Sequence, residues 1–386
     1  MGQRVDDIGA AADDLRGRLP SLDGWRALAV ILVLVSHTAY ADAAPVMFEA
    51  LIPVGDLGVR AFFVLSGFLI TFLLLQEARR QNGISLPQFY MRRAIRILPP
   101  YAAYVAVLGG LSWAGLYSDS PSSWLGVLTF TRNVVGRGAS ATVHFWSLAI
   151  EEQFYLVWPG AIVILGLWKR RKTMAVLLVA LVVAAVFFRW QLTSASFGGS
   201  LLNRLRSPKS ALAYMDSLAV GCLGACAAVH YGRRSLSNAW GRIGIGLAFI
   251  VIVVGEIVLR GHVRTLVAAL VPAVQALSFM TLFWITAFQP TGIVAQALNS
   301  RPLTLLGRWS YSLYVWQFLM LPSFMHASAG HWFQHWTVWW TGALALALSS
   351  YYGLERPALR LRQHLHWLRA GQLRSGEVPG HTTLGL

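Results

Sequence analysis

Apolar runs of about twenty residues recur along the chain, each closed by a short charged or turn-forming stretch, and a helix of that length spans the hydrocarbon core of a bilayer. Ten such runs stand out. The first five are Trp25 to Ala44, Leu57 to Leu75, Pro99 to Leu116, Trp146 to Trp168 and Met174 to Leu192. The second five are Ala211 to Tyr231, Ile243 to Leu259, Leu266 to Phe288, Ser310 to Met325 and His335 to Leu354. The pattern predicts an all-α, polytopic membrane protein with about ten transmembrane helices.

Composition agrees. Of the 386 residues, 56% are hydrophobic and only 12% are charged, half the share of an ordinary soluble domain. The formal net charge of +16 suggests nucleic acid at first sight, but the basic residues sit in short clusters between apolar runs. Membrane orientation accounts for them better, and nucleic-acid binding is not expected. Most of the 32 basic residues fall on one side if both termini are cytosolic, in "ARRQNGISLPQFYMRRAIR", "KRRK", "YGRRSLSNAWGR" and the tail after Arg356. The exception is the loop holding Arg204, Arg206 and Lys209.

The expected organisation is a cytosolic leader over 1–20, a membrane domain over 21–362 and a cytosolic tail over 363–386. The leader carries four aspartates and no apolar centre, unlike a secretory signal, and Asp6 stands where myristoylation would need Ser or Thr. Cys222 and Cys226 lie in a Gly/Ala-rich run and read as small residues for close helix packing. His331 and His335 offer two metal ligands where a closed zinc site wants four, so no metal is expected.

Three groups of polar residues interrupt the apolar runs. Arg26 and His37 stand eleven residues apart in the first helix, which places them within about 20° of one face and about 16 Å apart along the axis. Ionisable groups at that depth are costly and mark function, and imidazole is the side chain best suited to exchanging a proton near neutral pH. Arg92, Arg93 and Arg96 precede the Pro99–Pro100 pair taken to open the third helix, and three guanidiniums at a membrane rim suit a phosphate clamp. In "HFWSLAIEEQFYLVWP", Ser147, Glu151 and Tyr155 follow at intervals of four, a polar stripe able to orient a sugar hydroxyl. A pairing of Glu151 with an arginine to hold helices together is the structural alternative.

Together, and in this order, these motifs resemble the acyltransferase-3 family of integral membrane O-acyltransferases. The likeness runs from about Leu22 to Arg362: "LDGWRALAVILVLVSH", "GVRAFFVLSGFLI", the Arg93 and Arg96 pair, "WSLAIEEQFYL", "YMDSLAVG", "SYSLYVWQ" and "GLERP". The resemblance implies a multi-pass protein of the bacterial inner membrane that moves an acyl group, commonly acetyl, from acyl-CoA to a hydroxyl. Its acceptors are cell-surface polysaccharides, lipid-linked glycans and similar molecules. On that reading Arg92, Arg93 and Arg96 hold the coenzyme A phosphates, and Arg26 helps bind the donor. His37 is the base or a transient acyl carrier, and Glu151 orients the acceptor or tunes His37. Ser147, Tyr155 and Gln317 serve acceptor binding. Two positions depart from the family pattern: Arg60 stands where many relatives are acidic, and Gln317 where many have His. No fused hydrolase-like domain, such as some relatives carry, is read in the chain.

A transporter or flippase of glycans is the competing class, since buried charges and glycine-rich helices suit one too. Transporters of this size are built from two related halves with paired broken helices, and the sequence shows no such repeat.

Overall fold

The computed structural model describes residues 20–41, 43–136, 140–194, 209–231, 238–260, 265–288, 292–319, 321 and 335–361. Among them the chain is helical, with no β-strand. The leader before Pro20, the tail after Leu361, Arg204, Arg206 and His331 lie outside the described residues.

The helices are α1 (Pro20–Thr38), α2 (Val54–Gln81), α3 (Leu86–Trp113), a short α4 (Pro121–Leu128), α5 (Phe145–Ile164) and α6 (Arg171–Ser194). Then come α7 (Ala211–Tyr231), α8 (Asn238–Arg260), α9 (Thr265–Phe288), a short α10 (Ile293–Leu298), α11 (Arg301–Trp316) and α12 (Trp336–Ser350). A π-helical turn, Tyr351–Glu355, follows α12 directly. Each of the ten apolar runs overlaps a helix, the ninth only over Ser310–Trp316 at the end of α11. Six stretches are long and apolar enough to cross a membrane: α2 with the 3-10 turn before it, α3, α6, α7, α8 and α9. The protein is thus an all-α, polytopic membrane protein. Polar insertions interrupt α1 and α5, and α11 and α12 are short, at 16 and 15 residues.

Two helices depart most from expectation, each for a local reason. The third helix begins at Leu86, not Pro99, because extended Ser85 and Pro87 in the first turn start it early. Pro99 and Pro100 sit inside it, so Arg92, Arg93 and Arg96 are helical residues rather than linker. α11 begins at Arg301 and ends at Trp316, about nine residues earlier than its hydropathy suggested. Extended Ser300 and Pro302 set its start, and its polar positions Arg301, Thr304, Arg308 and Ser310 hid it from an apolar scan.

α2 is the central helix, with α1 on one side and α7 on the other. Small residues bring these backbones together. A Cβ on Gly67 would lie 2.1 Å from the Leu218 carbonyl oxygen, and one on Gly221 would lie 2.2 Å from that of Val64. Cys222 is fully buried beside Gly221, which agrees with the packing role read from sequence. α6 and α9 pack against α7, α8 packs on α9, and α8 turns Leu247, Ile250, Val253 and Ile257 outward. That exposed apolar face suits contact with lipid.

On the other side of α2, five helices touch in a closed cycle: α1 to α2, α2 to α5, α5 to α3, α3 to α11, and α11 back to α1. The last contact is tight, since a Cβ on Gly307 of α11 would fall 1.8 Å from the Asp23 carbonyl oxygen of α1. The ring encloses a cavity.

Candidate active site

The cavity has a volume of about 80 Å³, and all five helices of the ring contribute to its wall. Arg26 enters from α1, Ser66 from α2, Arg93 and Arg96 from α3, Glu151 and Tyr155 from α5, and Tyr311 and Tyr314 from α11. Three guanidiniums and two carboxylates, Glu151 and Glu152, thus share one enclosure. Charges this costly to bury are held by mutual attraction and hydrogen bonds.

A short relay fixes Glu151. Tyr155 Oη donates to Ser66 Oγ at 2.8 Å, and Ser66 Oγ donates to Glu151 Oε1 at 2.6 Å. Arg93 lies over the Tyr155 ring with its Cζ 4.2 Å from the centroid, so the same phenol orients a cation on its face and a hydroxyl at its edge. Arg26 is 3.6 Å from Asp23 one turn earlier on its own helix. Glu152 Oε1 is buried with no hydrogen-bond partner among the described residues. A buried acceptor in that state is uncommon outside functional sites.

Ser147 belongs to the same wall, but its hydroxyl is engaged by Tyr314 Oη, which in turn donates to the His144 carbonyl at 2.7 Å. The stripe read from the sequence therefore divides. Tyr155 and Glu151 act with Ser66, while Ser147 braces α5 against α11.

His37 does not line this cavity. It sits at the end of α1, where its Nδ1 is 2.9 Å from Gln317 Oε1 and its ring meets Phe318 edge-on at 4.7 Å. The Gln317 amide is set by its own contact, Nε2 donating to the Tyr314 carbonyl at 3.1 Å. With Oε1 turned to the imidazole, Nδ1 carries the proton and Nε2 keeps the lone pair. Gln317, fully buried, is thereby the link between His37 and Tyr314 of the chamber wall. A second histidine, His144, stacks on the other aspect of Phe318 at 4.5 Å and holds the Val315 carbonyl at 3.1 Å.

Arg92 also stands apart from the cavity, paired with Glu77 at 2.8 Å, while the second oxygen of Glu77 accepts the Ser85 backbone N–H. That arrangement fastens the α2–α3 turn. Arg60, the first departure from the family pattern, pairs with Asp56 at 2.7 Å one turn away and lies 5.0 Å over the Tyr214 ring. Its charge is absorbed by that carboxylate. In the loop beyond α3, burial together with the Asp119 carboxylate holds the Tyr117 phenol well above its ordinary value, which keeps it a donor to Asp119. His335 caps α12 by accepting the Thr337 backbone N–H, a structural role.

Three lining residues, Ser66, Tyr311 and Tyr314, and one buried carboxylate behind the wall, Glu355, were not singled out from sequence. Ser66 is the one hydroxyl in "FFVLSGFLI", and the tyrosines stand in "SYSLYVWQ". Glu355 of "GLERP" is 1% exposed and accepts from Ser312 Oγ at 3.1 Å, anchoring the π-helical turn to α11.

An all-α membrane protein whose polar residues meet in a chamber within one helical ring is the class that fold and site define. The acyltransferase domain model matches residues 19–353, and the chain belongs to that acyltransferase-3 family. A candidate O-acetyltransferase of Staphylococcus aureus strain COL is 28% identical over 335 residues, covering 80% of this chain and 51% of that protein. The O-acetyltransferase OatA of Staphylococcus aureus strain NCTC 8325 / PS 47 is 27% identical over 333 residues, covering 78% and 50%. The chain spans about half the length of these curated relatives. No solved structure matches it.

Proposed function

We propose that the protein is a membrane O-acyltransferase that moves an acetyl group from cytosolic acyl-CoA to a hydroxyl of a cell-surface carbohydrate, such as O-antigen, an exopolysaccharide or a lipid-linked glycan. The observation that carries this reading is the meeting of Arg26, Arg93 and Arg96 with Glu151 and Glu152 in one cavity. Guanidiniums suit the phosphates and the thioester oxygen of a donor, and carboxylates suit an alcohol. Both termini, and with them the basic face, would lie in the cytosol of a bacterial inner-membrane protein.

Arg93 and Arg96 take the donor's phosphates and Arg26 helps bind the donor, whose pantetheine arm runs beside α1 toward His37, about 16 Å further along that helix. Glu151, held by Ser66, orients the acceptor by accepting a hydrogen bond from it, and the unsatisfied Oε1 of Glu152 offers a second acceptor for the same molecule. The hydroxyl oxygen attacks the thioester carbonyl carbon while His37 Nε2 takes its proton. The tetrahedral intermediate then collapses, the C–S bond breaks, and the proton passes to the leaving sulfur, giving an ester and free coenzyme A. A transient acyl group on His37 is the two-step form of the same transfer. Gln317 keeps the imidazole tautomer correct for either form.

The test is transfer of radiolabelled acetyl from acetyl-CoA by purified protein, with mass spectrometry of surface glycans from cells with and without the gene. The expected result is an added acetyl mass that needs the gene, and loss of transfer in His37→Ala. Undiminished transfer by His37→Ala would overturn the assigned base.

A further inference from the structure

Away from the chamber, a second and wider cavity of about 1170 Å³ opens between the end of α2, the α5–α6 connection and the end of α7. Its charged wall is Arg79, Lys169, Arg170, Arg171 and Lys172, with His230 at the side, and no carboxylate among the described residues lines it. Glu77, the nearest acidic residue in sequence, is committed to Arg92. The remaining wall is apolar and comes from spanning helices, with Leu75 on α2, Met174 on α6 and Leu223 on α7.

Among the described residues no carboxylate faces these cations, and the contact of Arg171 with the His230 ring adds no negative charge. α6 starts at Arg171, so its first turn already carries the positive end of the helix dipole, and no acidic residue stands in that turn. Lys169, Arg170, Arg171 and Lys172 crowd the same end. Cations are favoured at helix C-termini, and here four of them meet an N-terminus. The arrangement is self-repelling until an anion enters, and the backbone N–H groups of that first turn add donors for one. Trp168 stands beside them with Lys169 Nζ 4.5 Å from its ring, as aromatic residues do at the headgroup level.

We infer that this groove is a binding site for an anionic phospholipid: the phosphodiester rests among Arg79, Arg170, Arg171 and Lys172 at the start of α6, and an acyl chain lies along Leu75, Met174 and Leu223. The half-apolar wall on spanning helices selects a lipid over a soluble phosphate. A basic pocket between transmembrane helices takes anionic headgroups in this way. The site is separate from the acyl-transfer chamber, shares none of its lining residues, and stands whether or not the proposed acceptor is correct.

The experiment uses the purified full chain in neutral detergent, with native mass spectrometry after titration with phosphatidylglycerol, phosphatidylcholine or coenzyme A. Phosphatidylglycerol is expected to be retained as a discrete adduct and phosphatidylcholine to be lost. Each of Lys169→Gln, Arg170→Gln, Arg171→Gln and Lys172→Gln is expected to weaken retention about fivefold per neutralised cation. Arg93→Gln, in the chamber, leaves it unchanged. A readout that needs no variant is bromine quenching: phosphatidylglycerol with brominated acyl chains is expected to quench the tryptophan fluorescence of the wild-type protein more than brominated phosphatidylcholine at equal concentration. Equal retention of the two lipids, or coenzyme A binding that is lost in Arg171→Gln but kept in Arg93→Gln, would overturn the assignment.

Discussion

Ser66 donates its hydroxyl to Glu151 at 2.6 Å while accepting that of Tyr155 at 2.8 Å, so one small residue on α2 couples both polar members of α5. Ser66→Ala removes a hydrogen bond to a buried carboxylate and leaves the Tyr155 hydroxyl without its acceptor. A hydrogen bond to a charged group contributes about 1.5–3 kcal/mol, so kcat is expected to fall about tenfold to a hundredfold. Steady-state kinetics with acetyl-CoA checks this, with the melting temperature as a control for folding.

Arg92 and Arg93 are neighbours with different duties, one paired to Glu77 outside the cavity and the other stacked on Tyr155 inside it. Arg93→Gln is expected to raise the KM for acetyl-CoA, and Arg93→Lys to recover only part of it, because an ammonium lacks the planar fork and stacks poorly. Arg92→Gln removes a partly exposed ion pair and is expected to shift KM by less than about twofold. Parallel titration of the three variants checks the contrast.

Gln317 sets the tautomer of His37 through Oε1 and its own orientation through the Tyr314 carbonyl. Gln317→Leu keeps the bulk and removes the acceptor. The loss is expected in kcat, by about tenfold or more, with the KM for acetyl-CoA little changed, since no donor contact is touched. A rise in KM with kcat unchanged would place Gln317 in donor binding instead.

The α2–α7 contact tolerates no added methyl. Gly67→Ala places its Cβ against the Leu218 backbone oxygen, and misfit of this kind costs about 1–3 kcal/mol. Gly110→Ala on α3 meets nothing within 4 Å and is expected to be neutral or to stabilise by up to about 1 kcal/mol. Thermal melting of the two variants, measured side by side, reads the difference.

Hydropathy made the helices legible, because bilayer thickness imposes one length on every apolar run. It misplaced α11, whose polar side faces other helices and the chamber instead of lipid, and it could not see that α3 continues through Pro99 and Pro100. The polar motifs were legible as residues but not as neighbours. Nothing in the spacing of Arg26, Arg93 and Glu151 says that α1, α3 and α5 close one ring with α2 and α11, since ring closure is set by glycine contacts such as Gly307 against Asp23. Ser66 went unremarked because a lone hydroxyl in an apolar helix usually bonds its own backbone. Arg92 looked equivalent to Arg93 because its partner, Glu77, lies fifteen residues away across a turn.

Glu151 is the carboxylate on which the chamber is centred, and acetyl transfer by purified Glu151→Gln is the most direct measurement of its role. The variant keeps size and an acceptor oxygen for Ser66 but loses the charge opposite Arg26, Arg93 and Arg96. Transfer is expected to fall by about a hundredfold or more while the protein melts within a few degrees of wild type. Wild-type transfer by Glu151→Gln would contradict the assignment of this chamber as the substrate-binding part of the reaction site.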